Sequence, residues 1–199
     1  MPRLSLIFNQ IHQGVSMIQA KLMTLRSLWQ DLAKVQGVLV VMGVLLLTAA
    51  SKIVIPIQPV PITLQSIVVL LLGLFYTPRA AFYSIATWLL LATCGLPVLA
   101  SPIAIRWWTA PSAGYLIGFL VSATLMAILR KKTSNGFWQT LGNCFLGQVI
   151  IYGFGVGWLM VWMGCEKAVQ LGLMPFMLPG LVKAFLLVTI CRSIGRSTR

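Results

Sequence analysis

Ile55-Pro56-Ile57-Gln58-Pro59-Val60-Pro61-Ile62-Thr63-Leu64-Gln65-Ser66 interrupts an otherwise almost continuous apolar region. Each proline fixes φ, lacks an N–H and pushes the residue before it towards extended geometry. Pro56, Pro59 and Pro61 within six positions exclude a helix here. They predict a stiff, extended connection between two hydrophobic segments. Its polar atoms are few: Gln58, Thr63, Gln65 and the freed backbone carbonyls. Non-helical backbone beside a membrane persists where it is packed in protein or lines a cavity. The stretch therefore reads either as the wall of a ligand site or as a tight surface turn between two spans. Loop behaviour alone does not separate the two.

The rest of the chain supplies the membrane. Of 199 residues, 59% are hydrophobic and 9% charged, with a mean hydropathy of +0.94. A soluble domain carries roughly 25% charged residues. Too little polar side chain is present to cover a water-facing surface, so the sequence describes an all-α integral membrane protein. The net charge of +13 does not imply nucleic acid, because the basic residues are scattered over an apolar body. It is topology information. Cys94, Cys144, Cys165 and Cys191 form no CxxC pair and lie in or beside apolar runs. They read as buried free thiols, and no metal site or cofactor is expected.

Residues 3 to 34 place Leu4, Ile7, Ile11, Val15, Ile18, Leu22, Leu25, Trp29 and Leu32 on one helical face. Residues 1–35 are thus expected to be an amphipathic N-terminal segment, lying on the membrane surface or docking a partner protein. Residues 36–199 are expected to be the membrane domain. Its six apolar segments fall at 36–55, 62–76, 80–98, 112–129, 138–163 and 176–191. The second and sixth fall short of the roughly 20 residues a full crossing needs. Glycines crowd the fifth, at 142, 147, 153, 155 and 157. Close helix packing is the simplest account of them.

Charge fixes the orientation. With the N-terminus inside, Arg3, Lys21, Arg26, Lys34, Arg79, Arg130, Lys131, Lys132, Arg192, Arg196 and Arg199 are cytoplasmic, eleven in all, against Lys52, Arg106 and Lys167 outside. That positive-inside bias predicts a six-helix bundle with both termini cytoplasmic. The proline-rich connection, the 100–111 connection and the turn around Glu166 then face outside.

Little is left for catalysis. Asp31 and Glu166 are the only acids and fall on opposite sides; His12 is the only histidine. Ser51 and Lys52 are adjacent, and helical neighbours point in different directions. There is no GxxxxGK[ST] phosphate loop and no series of intramembrane acids to relay protons. An enzyme and a self-sufficient proton-coupled pump are both disfavoured. A binding or conducting membrane subunit remains.

Three motifs sharpen that. Residues 55–65 are similar to the first-loop signature of the BioY family. Gly95-Leu96-Pro97-Val98 followed by Pro111-Ser112-Ala113-Gly114-Tyr115-Leu116-Ile117-Gly118-Phe119 resembles a second family motif. Pro175-Phe176 followed by Lys183 resembles a third. The order and spacing agree, over roughly 36–190. Leu99 stands where the family has Phe, Ser101–Trp108 replaces a glycine-rich stretch, and Gly180 stands where the family has an acid.

The resemblance implies a biotin-binding S component of an energy-coupling factor transporter, a multi-pass protein of the bacterial cytoplasmic membrane. Biotin, the lipid bilayer, a transmembrane T component and an ATPase pair are the implied partners. Biotin needs a mostly apolar pocket with a few placed polar groups. Thr63, Gln65, Arg106, Tyr115 and Lys183 are the candidates to supply them. Lys183, inside the sixth segment, is expected to pair with Glu166 or a backbone carbonyl when the pocket is empty. Arg106-Trp107-Trp108 reads as an interfacial aromatic belt or as a lid over the ligand. An S component for another small vitamin and a scaffold without a ligand are the alternatives.

Overall fold

The computed structural model describes residues 35–100, 106–132 and 136–197, without side-chain detail at 131–132 and 190–197. The chain divides into two units, Met1–Val38 and Leu39–Arg199. Of the first, only residues 35–38 are described, as the opening turn of helix α1. The expected amphipathic segment at 1–35 falls almost wholly outside the described residues.

The described chain is helical apart from one small hairpin. Helix α1 covers Val35–Lys52. Strands β1 (Val54–Ile55) and β2 (Ile62–Thr63) follow, and then α2 (Gln65–Phe75) and α3 (Pro78–Thr93). A short 3-10 turn at Trp107–Thr109 precedes α4 (Ala113–Lys132), α5 (Phe137–Met163), α6 (Cys165–Gly172) and α7 (Met174–Ser197). Four stretches are long and apolar enough to cross a membrane: Val35–Lys52, Ala113–Arg130, Phe137–Met163 and Cys165–Thr189.

Local chemistry sets the boundaries. Thr77 caps α3, its hydroxyl accepting from the Ala80 N–H at 3.2 Å, and Pro78 sits where a helix has no use for its missing N–H. Gly164, at φ +82°, turns the chain out of α5 in a conformation that side chains disfavour. The eight-residue α6 starts directly after it. The sequence was expected to give only a turn there.

The proline-rich stretch corrects another expectation. It is a tight hairpin instead of an extended connection, with Val54 paired to Thr63 and Ile55 to Ile62 in antiparallel register. The prolines fall in its tip, where no ladder N–H is required, and Gln58–Pro59 is cis. The hairpin takes the last three residues of the segment expected at 36–55.

Helix α4 is the central element of the second unit. It packs against α2, α3 and α5, and α5 also meets α6 and α7. Ser122 on α4 donates to the Gly147 carbonyl of α5 at 2.9 Å. The core joins Leu47 and Ala50 of α1 to Trp88 of α3, Phe119 of α4 and Leu159 of α5. The hairpin, the start of α2, the chain before α4, the first turns of α4, the middle of α5 and the first half of α7 surround a cavity.

Candidate functional site

The cavity has a volume of about 560 Å³. Its first wall is the hairpin, from Pro56 to Pro61, continuing through Thr63, Gln65 and Ser66. Pro111, Ser112, Tyr115, Leu116 and Phe119 form a second wall at the start of α4. Ile151 and Tyr152 of α5 face Phe176, Pro179 and Lys183 of α7, and Leu99, Ala100, Trp107 and Ala110 complete the lining. The surface is mostly apolar with a few polar atoms, as ligand pockets of about 300–1,000 Å³ usually are.

Each wall is fastened by groups from elsewhere in the chain. Lys52 Nζ donates to the carbonyls of Pro97 (2.6 Å) and Leu99 (3.0 Å), and Ser51 Oγ to that of Val98 (2.9 Å). Buried Trp88 also donates to Val98 O, at 3.2 Å. These bonds hold Leu99 at the cavity edge. Adjacent Ser51 and Lys52, unsuited to act as a nucleophile pair, both serve to fix a loop.

The aromatic wall is set by a second group of bonds. Tyr115 Oη donates to Gly172 O at 2.6 Å, and Tyr152 Oη to Phe176 O at 2.8 Å. The Tyr115 and Phe176 rings lie 5.6 Å apart. Gly155 makes room for Tyr115, since a Cβ at 155 would overlap the Tyr115 ring. At Gly180 a Cβ would meet the Tyr152 hydroxyl. Glycine at 180 thus goes with a tyrosine at 152.

Lys183 is the one charged side chain in the lining among the described residues. Its ammonium donates to Thr63 O at 2.8 Å and to Ser66 Oγ at 3.1 Å. Thr63 Oγ1 in turn donates to Gln65 Oε1 at 2.9 Å. Gln65 is 4% exposed, and its Nε2 has no partner among the described residues. A buried donor without an acceptor is costly unless something else completes it.

Thr63, Gln65, Tyr115 and Lys183 are therefore brought together on one cavity. Arg106 is not in its lining; it is exposed at the start of the 3-10 turn, beside the lining residue Trp107. Trp107 and Trp108 divide between the two readings of that segment. Trp107 lines the cavity and donates to Thr93 Oγ1 at 3.1 Å, while Trp108 is exposed. Of the two partners expected for Lys183, the structure has the backbone carbonyl. Glu166 lies on α6 and accepts from Gln170 at 3.5 Å.

Ser66 and Tyr152 were not singled out by the sequence. Ser66 follows directly on the proline stretch, but nothing local distinguishes its hydroxyl. Tyr152 had a signal: it lies four residues after Gln148, so two polar groups share one face of an apolar helix. Polar groups inside a membrane helix usually face protein or a cavity.

A family model described as the BioY family matches residues 19–199. A probable biotin transporter BioY from Rickettsia prowazekii is 34% identical over 145 residues, 72% of this chain and 75% of that protein. One of the same description from Pyrococcus horikoshii is 34% identical over 161 residues, 80% of this chain and 96% of the relative. The crystal structure of the S-component for biotin from an ECF-type ABC transporter superposes with a TM-score of 0.73 at 25% identity. It covers 83% of this chain and 93% of that one. With the family model spanning most of its length, and the hairpin, the tyrosine wall and Lys183 assembled around one cavity, the chain belongs to the BioY family.

Proposed function

We propose that this protein captures biotin in the cavity beneath the hairpin and delivers it across the membrane, as the substrate-binding subunit of a vitamin uptake system and not as an enzyme. The cavity carries the reading: about 560 Å³, mostly apolar, with a single lysine ammonium in its lining among the described residues. Biotin is a compact ring system with a polar ureido edge and a flexible acidic tail. It needs an apolar enclosure and a few fixed polar groups. Thr63, Gln65, Tyr115 and Lys183 supply the latter. Arg106, exposed next to Trp107, attracts the anionic ligand towards the cavity instead of holding it. The names of the relatives, biotin transporters and a biotin S-component, support the same substrate.

The membrane arrangement proposed rests on the charge asymmetry. Six crossings, by α1 to α5 and α7, with both termini in the cytoplasm leave eleven basic residues inside and three outside. The cavity then opens to the outer side of the cytoplasmic membrane. A transmembrane T component and an ATPase pair supply the energy, because the chain has no nucleotide-binding loop of its own. Uptake of radiolabelled biotin by cells lacking another biotin carrier tests this, with and without an ECF-type module co-expressed. Uptake above background with the module is expected. Background uptake in both, with the protein present in the membrane, would contradict it.

A further inference from the structure

The chain leaves α3 with few backbone bonds of its own. Gly95, at φ +85°, closes the helix, and the Leu96 N–H reaches back to Leu91 O at 3.1 Å. Pro97 has no N–H to give, and the Val98 N–H goes to Leu96 O at 2.8 Å. The carbonyls of Pro97, Val98 and Leu99 accept from no backbone N–H among the described residues. Val98 and Leu99 are buried, and buried carbonyls need partners. Side chains from other helices supply them.

Those side chains are not equivalent. Val98 O has two donors, Ser51 Oγ at 2.9 Å and Trp88 Nε1 at 3.2 Å. Ser51 has one O–H, and Thr48 O lies nearer to it, at 2.7 Å. Without Ser51, Trp88 still serves Val98. Pro97 O and Leu99 O share a single donor among the described residues, Lys52 Nζ, at 2.6 and 3.0 Å. An ionised donor also makes the stronger bond.

Lys52 is the last residue of α1, and the hairpin starts two residues on, at Val54. Between them Ile53 accepts from the Leu64 N–H at 3.2 Å, closing the base of the hairpin. Leu99 and the hairpin come from different parts of the chain and line different sides of the cavity, yet both are fastened to the end of α1. Lys52 itself is not in the lining. We infer that Lys52 is a positioning residue for ligand binding, tying the Pro97–Leu99 edge to the base of the hairpin so that the two walls stay together. It acts through the carbonyls it holds and touches no ligand. Its removal therefore shortens the stay of a ligand whatever the ligand's charge.

The tie bears on function only through the reading of the cavity as a biotin site, so one arm of the test uses no ligand. Full-length protein, Lys52→Met and Lys52→Arg are purified in detergent. Amide hydrogen exchange is followed without ligand, and release of biotin and of its uncharged methyl ester is timed. Lys52→Met should speed exchange both at 98–100 and in the hairpin at 55–64. It should release biotin and ester each about fivefold faster, as loss of a hydrogen-bonded support expressed in the dissociation rate. Lys52→Arg keeps charge and donors and should stay within about twofold of the parent. Faster exchange confined to 98–100 would make Lys52 a local fastening and overturn the tie, as would unchanged release of both compounds. A loss for biotin alone, erased by salt, would also overturn it, since that marks an ammonium attracting an anion. A folded parent that binds neither compound would remove the biotin reading and the role in binding with it, while faster exchange in both walls would keep the tie itself.

Discussion

Lys183 is a costly side chain in its setting. A charged lysine well inside a membrane helix costs about 3 kcal/mol on insertion scales unless it is paired or faces a cavity. Here Thr63 O and Ser66 Oγ accept from it. Lys183→Met keeps length and apolar volume but removes charge and donors. It should lower biotin affinity at least about tenfold, about 1.4 kcal/mol. Equilibrium binding to the purified variant checks this, and a loss below about twofold would contradict it. That Lys183 sits inside a span was legible from the sequence, and so was its need for a partner. The identity of the partner was not, because Thr63 lies 120 residues away and no local pattern encodes that pairing. Gly155 is a second case. The glycines of α5 look alike in sequence, yet a Cβ at Gly155 would strike the Tyr115 ring while one at Gly157 would meet nothing within 4 Å. Gly155→Ala should therefore lower stability by about 1–3 kcal/mol, while Gly157→Ala should not. Thermal unfolding of both in detergent gives the comparison; equal midpoints would mean that Tyr115 yields freely.

Among the elements, the hairpin carries most of the argument. The sequence excluded a helix at 55–66 because prolines cannot be accommodated there. It could not show that the two ends of the stretch pair as antiparallel strands. The four paired residues are too few for a period-two pattern, and the prolines mask what remains. The eight-residue α6 was missed for a related reason: it is short, and it follows a glycine that reads as a stop. The long helices were legible because apolar length is a robust signal. The cavity was legible only as a suspicion about the proline stretch, since its far wall comes from α4, α5 and α7. Pro59 and Pro61 line that cavity, and they stiffen the wall before ligand arrives. Replacing both by alanine should weaken biotin binding about fivefold or more, because ordering is then paid at the binding step. Titration of the folded double variant measures it. Unchanged affinity would make the hairpin a connector and nothing more.

For the whole molecule, orientation and substrate decide the function together. A binding cavity serves uptake only if it opens to the side from which the vitamin comes. In the proposed orientation, with eleven arginines and lysines inside against three outside, the hairpin faces outside. Single cysteines in a cysteine-free background should be labelled by an impermeant reagent from outside at Gln58 and only from inside at Lys132. Outside labelling at Lys132 would reverse the topology. The substrate is tested most directly by equilibrium binding of radiolabelled biotin to the purified, folded protein, in competition with other vitamins. Saturable binding displaced by unlabelled biotin, and not by thiamine or riboflavin, is the predicted result. Absence of saturable binding, or equal displacement by another vitamin, would contradict it.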